Sequence, residues 1–206
     1  MEKEMIPDIV VGRLPVYLRA LQHMSHKGQQ VTSSQELGEI IGITAAQIRK
    51  DLSFFGEFGK QGTGYQIESL IEAVRQILNI NRVWEIAVVG VGDIGNAIAR
   101  YQGLADRGFQ VTMLFDNDGR KIGSQVGPFR VRDSQHIVAD IRAANIQVAL
   151  IATPANVAQQ VADQLVQAGV KAILNYAPIS LTTPKEVRVQ NIDPAIYLQR
   201  MTFYLE

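Results

Sequence analysis

Gly90-Val91-Gly92-Asp93-Ile94-Gly95 follows the apolar run Ile86-Ala87-Val88-Val89 and opens a helical pattern. Glycines at this spacing suit a backbone that wraps a phosphate. Gly90 permits a tight turn, Gly92 lets a pyrophosphate reach the backbone, and Gly95 lets the helix pack closely on its strand. The anion would rest on the free amides of the helix N-terminus, with Val91, Asp93 and Ile94 filling the same turn. A glycine triplet alone is weak, but a second residue supports it. Asp116 ends the next strand pattern 21 residues after Gly95, near the ~20 expected of a carboxylate that binds ribose hydroxyls. Such a carboxylate repels a 2′-phosphate, which favours NAD(H) over NADP(H); Arg120 close by is the opposing feature. The plain alternative is a glycine-rich turn that binds nothing.

Two further loops follow strand patterns: Ala152-Thr153-Pro154 and Asn175-Tyr176-Ala177-Pro178. Ligands of open parallel sheets bind at the C-terminal ends of strands, so both loops can line the nicotinamide half of a site. Ordinary strand-to-helix turn chemistry explains them equally well. Little supports an enzyme. Hydride chemistry needs a proton donor or acceptor beside the substrate. His23 and His26 lie far from the glycine turn in sequence, and His136 opens a crossover helix. No tyrosine is followed four residues later by lysine, and no cysteine is present. A small NAD(P)-dependent oxidoreductase stands as the second reading, and no metal is expected.

A different motif precedes the glycine turn. Ser33-x-x-Glu36 and Thr44-x-x-Gln47 are two capping boxes, each able to satisfy two orphan amides. Gly42 between them suits a left-handed helix end. Two short helices on a tight turn make a helix-turn-helix. The second helix would enter a major groove. Thr44 opens it, and Ala45 and Ala46 permit close approach. Gln47 can read adenine, Arg49 can pair with guanine or a phosphate, and Lys50 suits a phosphate. Gly56, Gly59, Gly62 and Gly64, interleaved with Phe55, Phe58 and Tyr65, suggest the hairpin of a wing, where Lys60 can reach a phosphate. Protein contacts are the alternative use of such a domain.

These residues must be held by two kinds of element. Helical patterns fall at 15–24, from Ser33 to Gly42, from Thr44 to about Phe54, and at 66–78. Downstream, strand patterns at 86–89, 111–115, 129–131, 148–151, 172–174 and 187–189 alternate with helical ones at 94–106, 134–143 and 155–168. Alternation of this kind gives a parallel sheet with crossover helices. The expected fold is therefore α/β: a winged helix-turn-helix domain over 1–80, a Rossmann-like domain over 81–192, and a terminal helix over 193–206. Hydrophobic residues make up 47% of the 206, the formal net charge is zero, and residues 1–80 hold eight Lys and Arg against nine Asp and Glu. A DNA-binding charge must then lie on one face. No apolar run approaches the ~20 residues of a membrane span. The start Met1-Glu2-Lys3-Glu4 lacks the pattern of a signal peptide, so the cytoplasm is expected.

The two motifs together resemble the Rex family of redox-sensing transcriptional repressors. The resemblance is most specific over Gln47-Ile48-Arg49-Lys50-Asp51-Leu52-Ser53-Phe54-Phe55-Gly56-Glu57-Phe58-Gly59 and Gly64-Tyr65. Supporting segments are Gly90 to Gly95, Phe115-Asp116, Lys121-Ile122-Gly123, Asn175-Tyr176-Ala177-Pro178 and Asn191-Ile192-Asp193. The resemblance implies a homodimer on palindromic operator double-stranded DNA that senses the NADH/NAD⁺ ratio and is released by NADH. It adds Lys121 and Ile122 to the cofactor-binding candidates, and Ser53, Phe55 and Gly62 to the DNA-binding ones. It implies a C-terminal helix swapped between subunits and an interdomain switch of Arg19, Tyr101 and Asp193. Pro194 departs from relatives that place an aromatic residue near the nicotinamide; Tyr197 is the candidate substitute.

Overall fold

The computed structural model describes residues 6–59 and 64–205. The chain divides into two compact units, Met1–Arg82 and Val83–Glu206.

The first unit contains α1 (Asp8–His26), β1 (Val31–Thr32), α2 (Ser34–Ile41), α3 (Ala45–Ser53), β2 (Tyr65–Gln66) and α4 (Ile67–Ile77). Helix α1 begins well before the expected Pro15, which lies inside it. An interior proline removes one helical hydrogen bond. The buried stripe Val10, Leu14, Tyr17, Leu21 and Met24 continues on both sides of it, and packing of that face outweighs the loss. Helix α1 packs against α2 and α4, and α3 packs along α2. Both capping boxes form only by half. Ser33 Oγ and Thr44 Oγ1 accept from the Glu36 and Gln47 amides at 3.1 and 3.2 Å. The reciprocal side chains turn elsewhere, Glu36 to Gln29 and Thr32, and Gln47 to Asp51. Gly42 ends α2 at φ 72°, the left-handed conformation expected there.

The hairpin expected of the wing falls partly on residues 60–63, outside the described residues. Among the described residues no strand lies between Ser53 and Tyr65; β2 instead pairs antiparallel with β1, Val31 opposite Gln66 and Thr32 opposite Tyr65. A two-residue strand is too short for its period to show in sequence. Gly64, at φ 73°, passes so close to this ladder that a Cβ would lie 2.5 Å from the Thr32 carbonyl oxygen. Lys60 and Gly62 lie outside the described residues.

The second unit runs β3 (Trp84–Val89), α5 (Asp93–Arg100), β4 (Phe109–Asp116), β5 (Gln125–Val126), β6 (Phe129–Asp133), α6 (Ile137–Ala143), β7 (Val148–Ile151), α7 (Ala155–Ala168), β8 (Ala172–Asn175), β9 (Arg188–Asn191) and α8 (Pro194–Thr202). The strands form one sheet in the order β5-β6-β4-β3-β7-β8-β9, antiparallel only at the β5–β6 edge. Strand β3 is buried on both faces. Ile86 and Val88 pack with Ala99, Val111 and Leu114, while Ala87 and Val89 pack with Phe115, Ile137, Ile141 and Leu165. Such doubly covered strands read as continuous apolar runs, which is why 86–89 stands out in the sequence. Helix α5 stops at Arg100 rather than near Asp106. Tyr101 is extended (φ −77°, ψ 100°), and a 3-10 turn, Gln102–Arg107, follows.

Leu37 on α2 is fully buried. Leu37→Ala is expected to cost about 2–5 kcal/mol, read as a lower urea midpoint for the first unit; a change below about 1 kcal/mol would contradict this packing.

Candidate functional site

The sheet changes direction between β3 and β7. The chain leaves β3 to build β4 and β6 on one side, then crosses back to build β7 and β8 on the other. The C-terminal ends at such a reversal form the crevice where ligands of open α/β sheets bind. The glycine turn occupies it. Gly90 has φ 95°, and a Cβ there would lie 2.5 Å from the Ala152 carbonyl oxygen at the end of β7. A Cβ on Gly95 would strike the Gly90 carbonyl. Gly92 meets nothing within 4 Å and is exposed, as are Asp93 and Ile94. It is the N-cap of α5, and no side chain caps that helix. The first-turn amides of α5 are thus uncapped by any side chain at the reversal of strand order, which fits a pyrophosphate.

Asp116 is 6% exposed. Its Oδ2 accepts from the Val91 amide at 2.8 Å and from Lys121 Nζ at 3.1 Å, and its Oδ1 from the Asp118 amide at 2.9 Å. Burial alone would raise its pKa; the Asp118 and Val91 amides and Lys121 outweigh burial and hold it below the usual carboxylate range. The carboxylate therefore anchors the glycine turn. Arg120 folds onto Asp118 at 2.7 Å. Ile122 is half-buried beside Lys121 in sequence.

The other two loops have distinct roles. Ala152 donates its amide to Val89, and Pro154 is the N-cap of α7. Thr153 Oγ1 is a buried hydroxyl with no hydrogen-bond partner among the described residues, and its methyl lies against Gly90. Asn175 is fully buried. Its side-chain amide donates to Ala177 O, Ile179 O and Asn191 Oδ1 at 3.2, 2.8 and 2.9 Å, and its Oδ1 accepts from the Ala177 amide at 3.0 Å. This side chain shapes the 175–179 loop from within. Ala177 is buried, and Pro178 is exposed.

In the first unit, Thr44, Ala46, Arg49, Lys50 and Ser53 are exposed on α3 or its cap, while Ala45 and Phe55 are half-buried. Arg49 donates to Ser34 Oγ at 2.9 Å, and Ser53 Oγ bonds back to Lys50 O. Sequence reasoning assigned no role to Asp51 or Arg13. Asp51 is fully buried and takes a two-pronged ion pair from Arg13, at 2.5 and 2.7 Å, with Tyr17 and Gln47 also donating to it. The readable signal was a carboxylate on the same face as Ile48 and Leu52, which demands a buried partner. Burial would raise the Asp51 pKa, but Arg13, Tyr17 and Gln47 hold it low.

Of the expected switch residues, Arg19 lies in the first unit and Tyr101 and Asp193 in the second. Arg19 is exposed on α1. Tyr101 is half-exposed, with the Arg107 guanidinium 5.9 Å from its ring centroid. Asp193 caps α8, accepting from the Ala195 amide at 2.9 Å, and Pro194 opens that helix. Tyr197 is 59% exposed. Among the described residues no cluster of three or more His, Asp or Glu could hold a metal, and no helix is long and apolar enough to cross a membrane.

Fold and site together define a two-unit protein: a helix-turn-helix unit followed by a Rossmann-like nucleotide-binding unit. Residues 5–53 match the family model described as "Putative DNA-binding protein N-terminus", and residues 81–179 match "CoA binding domain". The redox-sensing transcriptional repressor Rex of Chloroflexus aurantiacus is 50% identical over 199 residues, covering 97% of this chain and 94% of that protein. The crystal structure of RSP with β-NAD⁺ and operator DNA has a TM-score of 0.93 at 35% identity, covering 98% of this chain and 93% of that one. RSP with β-NADH gives 0.90 at 33%, covering 98% and 94%. The chain belongs to the Rex family of redox-sensing transcriptional repressors.

Gly92 has ordinary backbone angles, φ −81° and ψ −162°. Gly92→Ala should leave stability within about 0.5 kcal/mol yet weaken NADH binding at least ~10-fold, because the methyl occupies the approach to the amides. Titration of NADH fluorescence beside thermal melts tests this, and intact binding would refute the cradle. The two buried carboxylates also set a pH dependence. Both are held low, so their stabilisation is present above the unfolded value of about 4 and is lost as pH falls through the depressed folded values. Urea midpoints measured from about pH 6 to about pH 3 should fall at the acid end. Asp51→Asn should flatten that fall in the first unit; an unchanged acid slope would count against the clamp.

Proposed function

We propose that this chain is a homodimeric repressor that binds palindromic operator DNA and leaves it when NADH binds, so that it reports the NADH/NAD⁺ ratio. The uncapped amides of Gly92 to Ile94 at the start of α5 carry this reading, because they sit at the sheet reversal of a chain whose other unit presents exposed residues on α3. Family membership supports it: RSP has been crystallised with NAD⁺ and operator DNA, and with NADH. The chain is then not an enzyme, and its place is the cytoplasm.

Thr44, Ala45, Ala46, Arg49, Lys50, Ser53 and Phe55 form the DNA-facing set, with Gln47, whose side chain also donates to Asp51, and with Lys60 and Gly62, which lie outside the described residues. Asp116, Lys121, Ile122, Ala152, Thr153, Pro154, Asn175, Ala177 and Pro178 surround the dinucleotide with the glycine turn. The terminal segment supports a dimer. Ile196, Tyr197, Leu198, Met201, Phe203, Tyr204 and Leu205 are each about 60–80% exposed, and a contiguous apolar surface of this kind marks an interaction site. A swapped α8 would cover it, with Arg19, Tyr101 and Asp193 switching the domains.

The preference for NADH follows from charge. NAD⁺ carries a cationic ring and NADH a neutral one. An apolar enclosure of Ala177, Pro178, Ile179 and the partner's terminal helix penalises the cation, whereas the face of Tyr176 favours it; enclosure must win. Each nucleotide shifts DNA binding only by its differential affinity for the two dimer shapes. Operator DNA must therefore weaken NADH binding by the same factor. Fluorescence anisotropy of a labelled palindromic operator at fixed salt tests this. Release is expected at micromolar-range NADH (order of magnitude) but not at equal NAD⁺. Indifference to both would refute the redox reading, and nucleotide turnover would favour the oxidoreductase.

A further inference from the structure

Among the described residues two aspartates are buried. Asp116 belongs to the nucleotide site; Asp51 takes no part in the function proposed above. It follows the exposed Lys50 on α3 but faces inward. Its Oδ2 accepts from Arg13 Nε and from Tyr17 OH, both at 2.5 Å, and its Oδ1 from Arg13 Nη2 and Gln47 Nε2, both at 2.7 Å. Arg13 and Tyr17 are one turn apart on α1, and Gln47 and Asp51 one turn apart on α3. A planar guanidinium fork met by both carboxylate oxygens fixes orientation as well as distance. Two residues on each helix thus set the roll of α3 about its axis, and that roll decides which side chains face a groove. One N–H of the Gln47 side-chain amide, the group that would read adenine through its N6 and N7 edge, is already given to Asp51.

We propose that Asp51 is the positioning residue of the DNA-reading helix, clamping its roll to α1, and that Gln47 is committed to this clamp rather than to a base. The proposal rests on the operator-binding reading. Breaking the pair from one side would strand a buried charge and threaten folding. Replacing both partners with apolar residues avoids that, since such swaps are often neutral or stabilising.

The test uses the full chain. Wild-type protein selects a palindrome from a random duplex pool, and a panel then carries each base-pair substitution of one half-site. Gln47→Met should weaken discrimination at several base pairs of the half-site rather than at one. Loss confined to one base pair, roughly 5- to 150-fold as for a bidentate base contact, or no loss at all, overturns the assignment. The Arg13→Leu/Tyr17→Phe/Asp51→Leu variant, which also removes the buried hydroxyl that donates to Asp51, should keep its melting temperature and NADH affinity. Its preference for operator over random duplex should fall at least ~10-fold, because a rolled helix misplaces contacts each worth about that much. A stable variant of this kind with wild-type preference overturns the positioning role. Wild-type protein that selects no duplex overturns operator binding itself, a result distinct from either.

Discussion

The close approach of backbone at the ends of β3 and β7 governs the second unit. Gly90 lies against the Ala152 carbonyl, and Gly95 against that of Gly90. A side chain at either position would push α5 off the sheet. The helix N-terminus could then no longer present free amides at the reversal of strand order. The requirement is local, yet it fixes much else: the parallel register of β3 with β7, from Ile86 opposite Val148 to Val89 opposite Ile151, is what brings the two loops together. Gly92 differs from these two: among the described residues nothing lies within 4 Å of where its Cβ would be, which leaves room for the anion of the proposed function.

Each unit buries one aspartate, and each aspartate fixes a binding element in place. Asp116 takes the Val91 amide and so ties the glycine turn to the end of β4. Asp51 ties α3 to α1. A buried ion pair is weak support for stability, because desolvation offsets most of the attraction. Geometry is what such a pair supplies. Both carboxylates sit close in sequence to exposed side chains, Lys50 in one unit and Arg120 in the other.

Most of the second unit was legible in the sequence because doubly buried strands read as unbroken apolar runs and glycine spacing has a steric cause. The strand limits at 148–151 and the helix at 155–168 coincide with β7 and α7. The failures also have causes. The 94–106 helix pattern continued through Tyr101, since periodicity does not see a break made by one extended residue. Pro15 masked the start of α1, since local propensity argued against a helix that tertiary packing sustains. The capping boxes were visible, but their reciprocal halves were lost to competing partners, Gln29 and Thr32 for Glu36 and Asp51 for Gln47. Arg13 with Asp51 was invisible because the two are 38 residues apart, and their pairing exists only once α1 and α3 are packed.

The near-neutral first unit constrains how such a protein can be switched. With eight basic against nine acidic residues through position 80, a single unit lacks the bulk charge that drives tight non-specific binding. In the proposed dimer, affinity comes from engaging two half-sites at once. Such linkage exceeds single-site affinity by roughly 10²–10⁴-fold, and all of it is lost when geometry forbids the second contact. A nucleotide then need not disturb α3 or its clamp. It need only change the spacing between two recognition helices that must match half-sites about one helical turn, or a multiple of it, apart. This division of labour fits a rigidly clamped reading helix and a separate nucleotide unit: stiffness where bases are read, and adjustability in the joint between protomers.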